Sequence, residues 1–231
     1  MDTKRSRGAA FPGRSAAARA IGLLCTVTAA GALLTGCGSE RADETGSRGS
    51  AAPQRAVPAS GHPRPSASLT ADQAKRKALI PAAKVDYAKA LRAAVAAVPA
   101  SEPIAAELRG TPAKPYWETA VATADGTVSQ VRVDAVSGKA AQPHTSSDDA
   151  DDKQQLADRL TKATVTAQEA AQTATDKTKG TVSAIELGHA DNGSDAVAWS
   201  VDVVTTDDWN KTSYEIDATN RKVLRMHVDQ D

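Results

Sequence analysis

Apolar residues recur at two different periods along this chain, and the switch between them happens twice in the same order. Thr70 followed by Gln73 is a capping box, preceded by Leu69 as a staple. It predicts a helix to about Leu79, stopped by Pro81. A second helix is predicted from Asp86, with Tyr87, Leu91, Ala94, Val95 and Val98 on one face at helical spacing, ended by Pro99. The period then drops to two. Ile104 to Leu108 reads as a strand, and Tyr116 to Thr123 alternates with Trp117, Thr119 and Val121 on one face. Asp125-Gly126 signals a hairpin turn. Val131 and Val133 alternate in the returning strand, before a turn over Asp134 to Lys139.

The same plan begins again at Asp148, where a helix with an acidic start and an apolar stripe of Leu156 and Leu160 is predicted to run to Ala163. Thr166 and Glu169 form a second capping box, opening a helix that Gly180 closes. Val182 to Leu187 is a strand. Trp199, Val201 and Val203 repeat the earlier one-face alternation, and Asp207-Asp208-Trp209-Asn210 occupies the hairpin. Tyr214 and Ile216 match Val131 and Val133, and Ile216 to Lys222 matches Val133 to Lys139. The second hairpin is one residue longer. Asn220-Arg221 replaces Ser137-Gly138, with Asn expected to tolerate the left-handed conformation that the turn needs. The pattern predicts an α+β fold of two repeats, residues 69–142 and 153–231, joined by a linker at 143–152. Each repeat has one or two helices packed on a small antiparallel sheet. Units this small with alanine-rich cores give little margin alone, so the two are expected to pack on each other.

The first 36 residues follow neither period. Five basic side chains against one acid precede an uncharged apolar run from Ala20 to Leu34, the order found in a secretion signal. The run is shorter than the ~20 residues needed to cross a hydrocarbon core of about 30 Å. No Arg-Arg pair precedes it, which favours the general secretion route. Leu34-Thr35-Gly36-Cys37 resembles the bacterial lipobox, in which small residues admit a peptidase and the cysteine thiol takes the lipid. A lipoprotein signal peptide over 1–36 and a lipid attachment at Cys37 are therefore expected, with palmitate-type chains giving a stable anchor on the outer face of the cytoplasmic membrane. The other cysteine, Cys25, would leave with the leader, so no disulfide is expected. Residues 37–68 are rich in Gly, Ser, Ala, Pro and Arg, and are expected to form a disordered tether.

Charge narrows the functional classes. The whole chain balances 28 basic against 28 acidic residues, and loss of the basic leader leaves a mildly acidic protein. Nucleic-acid binding, which needs a basic face, is not expected.

The two capped helices, the aromatic strands and the apolar-Asp-Ala-x-x-Gly-Lys turn resemble the PepSY domain, a module of helix and antiparallel sheet. That resemblance implies a non-enzymatic protein that binds or inhibits a secreted peptidase, because the module is similar to part of the propeptide of thermolysin-like enzymes. It also allows an accessory lipoprotein that modulates a membrane sensor kinase. The tandem layout is similar to secreted β-lactamase-inhibitory proteins in fold and repeat length.

Residue by residue, chemistry is sparse. His62, His144, His189 and His227 show no ligand spacing, so neither metal nor cofactor is expected. The acids from Asp148 to Asp152 lack the glycine and terminal glutamate of a calcium loop, and suit the N-terminus of the next helix. No nucleophile elbow, phosphate loop or dinucleotide fingerprint occurs, so no catalytic residue is assigned. Asp134 and Asp217 are read as turn formers, and Trp117 and Trp199 as packing. Trp209 differs, since a tryptophan at a hairpin tip has no evident core to fill. It either folds back on its own hairpin or contacts a protein partner, and it is the partner-binding candidate. Sheet faces and hairpin tips are the expected contact surface.

Overall fold

A computed structural model describes residues 68–191 and 196–229. The expected signal peptide, tether and Cys37 lie outside them. The first copy contributes helix α1 (Ala71–Leu79), a 3₁₀ turn (Ile80–Ala82), helix α2 (Tyr87–Ala97) and strands β1 (Ser101–Thr111), β2 (Lys114–Thr123), β3 (Val128–Asp134) and β4 (His144–Thr145). The second contributes helices α3 (Ala150–Lys162) and α4 (Ala167–Lys177) and strands β5 (Thr181–His189), β6 (Val197–Val204), β7 (Lys211–Asp217) and β8 (Val223–Asp229). Both capping boxes form as expected, Thr70 with Gln73 and Thr166 with Glu169. The acidic run before α3 supplies its cap through Asp149, whose carboxylate accepts the Asp151 and Asp152 N–H groups. That helix starts later than the pattern suggested, at Ala150, and the first strand is longer at both ends. Among the described residues no helix is long and apolar enough to cross a membrane.

All eight strands join one antiparallel sheet in the order β4-β3-β2-β1-β5-β6-β7-β8. The join between copies is β1 against β5, with Ala105 opposite Glu186 and Glu107 opposite Ala184. Each copy would otherwise leave that strand as an unpaired edge. The tryptophan face is largely apolar: Trp117, Val121, Val131 and Val133 continue into Ile185, Trp199, Val201, Val203, Tyr214 and Ile216, all buried, with Thr119 and Thr212 the buried polar residues among them. Helix α2 covers β1, β2 and β3 on this face, and α4 covers β5, β6 and β7. Their contact residues are mostly alanines, Ala90, Ala94, Ala170, Ala171 and Ala174. Small side chains let the helices approach closely, so few large residues suffice for one shared core.

The opposite face is covered as well. Ala120, Ala122, Ala198 and Val204 alternate away from the tryptophans yet are buried. Helices α1 and α3 lie there. The α1 residues Asp72, Lys75, Arg76 and Leu79 share a cleft with Glu107, Ala184, Lys211 and Asp229, which all point to this side. Arg159 of α3 lies in electrostatic reach of Glu186 on the same side. Each of these helices reaches the other copy. From α1, Gln73 Nε2 donates to Asn210 Oδ1 at 2.8 Å and Arg76 Nε to the Trp209 carbonyl at 2.7 Å. From α3, the Lys153 backbone presses on the β2–β3 hairpin at Gly126. Each first helix therefore reaches across to the other copy, while α1 also rests on β1 of its own.

Within each copy the same bonds recur. The indole N–H of Trp117 donates to the Val85 carbonyl, and that of Trp199 to the Val165 carbonyl, both at 2.7 Å. The Ala135 carbonyl accepts from Lys84 and Val85, and the Ala218 carbonyl from Thr164 and Val165. Trp117 pairs in register with Val133, and Trp199 with Ile216. Both copies shift register at the same place, between Pro103 and Ala105 and between Val182 and Ala184. One expectation fails in detail. The left-handed residue of the second turn is Arg221, at φ 66°, and not Asn220. It stands where Gly138 stands, at φ 77°, so the backbone demand follows position and Asn220 instead donates to Asp217 through its side-chain amide.

Candidate functional site

Asp134 begins the site by fixing a turn. Its Oδ1 accepts the Val136 and Ser137 N–H groups at 3.0 and 2.7 Å and the Ser137 hydroxyl at 2.8 Å. The Ser137 backbone N–H, then its hydroxyl, holds this carboxyl below its usual range, so it stays ionised. Asp217 fixes the matching turn, chiefly through the Thr219 hydroxyl. Both aspartates are structural, as their turn positions suggested.

The first turn forms one wall of an open cleft of about 660 Å³. Lys114, Pro115 and Tyr116 come from β2, Arg132 from β3, and Val136, Lys139, Ala140 and Ala141 from the turn and the chain after it. The Arg132 guanidinium lies 4.1 Å from the centre of the Tyr116 ring, a cation–π contact that holds a flexible side chain in place. Val136 is an exposed large apolar residue here, at 53%. Lys114, Arg132 and Lys139 are exposed, and none forms an ion pair among the described residues. Glu118, the cross-strand neighbour of Arg132, is engaged by Arg109 at 2.8 Å and does not line the cleft. The turn is stitched to the chain entering α2 through Ala135, so these side chains project from a rigid frame.

The second copy does not reproduce the site. Ala198 stands in the place of Tyr116, Glu215 in that of Arg132, and Thr219 in that of Val136; only Lys222 keeps the charge of Lys139. Glu215 is itself informative. Burial, then Asp191, raises its pKa, and its Oε2 is buried without a hydrogen-bond partner among the described residues. A carboxyl whose folded pKa lies above its unfolded value contributes stability when protonated, and that contribution is lost as pH rises through the folded value. Glu215→Gln should therefore melt higher than the parent chain at pH 7.5 and equal it near pH 4. Thermal unfolding across that range checks this, and a constant difference at all pH values would rule it out.

Trp209, the residue singled out from sequence, occupies the β6–β7 hairpin at φ 62°. Gly126 holds the equivalent left-handed place in the other hairpin, at φ 80°. Asp208 accepts from the Thr205 hydroxyl and from the Asn210 backbone and side-chain amides, as Asp125 does from Thr123 and Thr127. The Trp209 side chain is half-buried and packs against the core, while its carbonyl is held by Arg76. The structure does not bring Trp209 and the basic cleft together through any shared lining residue. Cleft residues passed unnoticed in the sequence because each is ordinary alone. The signal was the difference between copies, Tyr116 against Ala198 and Arg132 against Glu215. His144, His189 and His227 fall on β4, β5 and β8, and among the described residues no group of three or more His, Cys, Asp or Glu is placed to hold a metal.

Comparison with known proteins follows the duplication. The family model for the peptidase propeptide and YPEB domain, PepSY, matches residues 84–140 and 164–227, together more than half of the chain. The first match spans α2 and β1 to β3, the second α4 and β5 to most of β8, leaving out α1, α3 and β4. No curated protein matches. Among solved structures, that of a "putative lipoprotein" from Clostridium difficile 630 is similar at 17% identity and a TM-score of 0.41, covering 64% of this chain and 95% of that one.

Proposed function

The chain belongs to the PepSY family, and on that premise we propose that it is an extracytoplasmic binding protein that engages and inhibits a secreted peptidase. The observation that carries this reading is the tandem match: two copies of a module described by its occurrence in peptidase propeptides, fused here through one sheet. A propeptide acts by binding a folded peptidase, which needs a rigid surface more than reactive groups. The shared core and the stitched turns supply such a surface, and the cleft and the half-buried Trp209 are the contacts offered for it.

In this proposal the protein works from the outer face of the cytoplasmic membrane, held by lipid on Cys37 after cleavage of residues 1–36. Support comes from the basic leader, the apolar run and Leu34-Thr35-Gly36-Cys37. Changing Cys37 to Ser should move the protein from the membrane fraction to the medium, or leave it uncleaved. Intact-mass measurement of the parent chain decides the point, since a mature chain beginning elsewhere, or a Cys37 without lipid, removes the anchor.

Inhibition is tested by adding the purified full chain to peptidases secreted by the same cells and following turnover of a general casein substrate. A dose-dependent loss of activity supports the reading. If a bound peptidase is captured, Trp209→Ala should weaken it by roughly thirtyfold if the indole is an interface anchor, about 2 kcal/mol. Unchanged affinity would leave Trp209 as a packing residue only. Hydrolysis of substrate by the chain itself would overturn the non-enzymatic assignment.

A further inference from the structure

We propose that the basic cleft of the first copy receives an acidic, extended segment of the partner protein, seating a carboxylate against Arg132 between Lys114 and Lys139. This rests on the binding-protein reading but not on the partner being a peptidase.

Three cations border the cleft against one acid, Asp134, whose Oδ1 already accepts three hydrogen bonds from its own turn. The excess positive charge stands on a chain that is acidic overall once the leader is gone, so it is a local feature. Arg132 is the centre of it. Its guanidinium lies over the Tyr116 ring, which favours one placement of the side chain, and its planar fork matches the two oxygens of a carboxylate. Holding that side chain before binding also removes part of the ordering cost. The apolar surface of Val136, Ala140 and Ala141 beside the cations suits a neighbouring aliphatic side chain of a peptide. A flat anionic bilayer would meet the rim lysines but would not fill a concave site with an apolar wall.

Comparison of the copies adds an independent argument. Duplication gave both turns the same backbone, yet the second copy carries Glu215 and Ala198 where the first carries Arg132 and Tyr116. The backbone therefore has no need of the basic and aromatic pair. One acidic segment should bind per chain, at the first copy alone.

The test uses the full chain in detergent and two fluorescein-labelled peptides of alternating sequence, one of Glu and Val, the other of Gln and Val. Fluorescence anisotropy should show the Glu peptide binding at one site, weakening steeply with added salt, and the Gln peptide binding at least tenfold more weakly. Arg132→Gln and Lys139→Gln should each cost about tenfold or more, whereas Lys222→Gln, the matching change in the second copy, should cost nothing. All of these side chains are exposed, and unchanged melting temperatures confirm intact folds. Equal binding of the two peptides, or indifference to Arg132→Gln, overturns the proposal. So does an Arg132-dependent affinity for phosphatidylglycerol vesicles without affinity for the Glu peptide, which would assign the cleft to the membrane. If the Glu peptide binds as expected but no peptidase is inhibited, only the peptidase reading fails. If a peptidase is inhibited equally by the Arg132→Gln chain, the cleft assignment alone is wrong.

Discussion

Trp117→Ala should unfold both copies together, in one transition, with a loss of about 3–5 kcal/mol. The indole is 1% exposed and is among the largest fully buried side chains, so its removal leaves a cavity that a sheet held in register on both sides cannot collapse to fill. It also strands the Val85 carbonyl, which the indole N–H satisfies at the point where the chain turns into α2. The effect should not stop at the first copy. Pairing of β1 with β5 and a single buried cluster make the two copies one cooperative body. The remaining tryptophans, Trp199 and Trp209, both lie in the second copy and report on it directly by fluorescence. In urea, their transition and the far-ultraviolet circular dichroism transition should coincide at a lowered midpoint. A Trp199 and Trp209 signal that keeps the parent midpoint while helix signal falls earlier would show that the copies fold separately. Since this loss does not exceed the roughly 5–15 kcal/mol total stability of a typical domain, the variant is expected to remain measurable at low temperature.

Much of that body was readable from residue order, because the responsible forces are local. Caps announce themselves through the side chain of Thr70 or Thr166 and the residue three later. Strand faces announce themselves through alternation around Trp117 and Trp199. Duplication made each feature visible twice. What could not be read was non-local. The pairing of β1 with β5 depends on backbone groups, which leave no mark on side-chain type. The reach of α1 and α3 across to the other copy rests on contacts such as Gln73 with Asn210, distant in sequence and unremarkable in composition. It also closes much of the sheet surface that the pattern left open for partners. Arg221 shows a subtler limit. A propensity argument places left-handed backbone on Asn220, but the turn places it one residue later, where Asp217 and Lys222 set the hydrogen bonds. For the candidate site, the periodic positions drew attention to Trp209, while the cleft depended on which residues the two copies do not share.

Gly126→Ala tests the packing of α3 on the first hairpin, and its effect should rival that of the buried tryptophan. A methyl at this position would lie 1.9 Å from the Lys153 carbonyl oxygen and 2.7 Å from its carbonyl carbon, both backbone atoms of α3. Neither rotates away as a side chain would. The residue also sits at φ 80°, where a Cβ is strained in any surroundings. Either the hairpin changes conformation or α3 moves off the sheet. Movement of α3 would expose Leu156, buried on that helix, and with the strain of the turn the loss should reach about 3 kcal/mol or more. The equivalent hairpin supplies the internal contrast, since Trp209 already holds left-handed backbone there with α1 contacting it through side chains, Arg76 and Gln73, which can adjust. Close backbone packing of a helix is thus a property of α3 on the first hairpin, and of the two hairpins only the first requires glycine. Amide hydrogen exchange locates the damage: α3 should lose protection in Gly126→Ala before α2 and α4 do. If α3 stays protected and stability falls by less than about 1 kcal/mol, the helix does not rest on the hairpin in the way described, and the close backbone contact between α3 and the first copy would have to be abandoned.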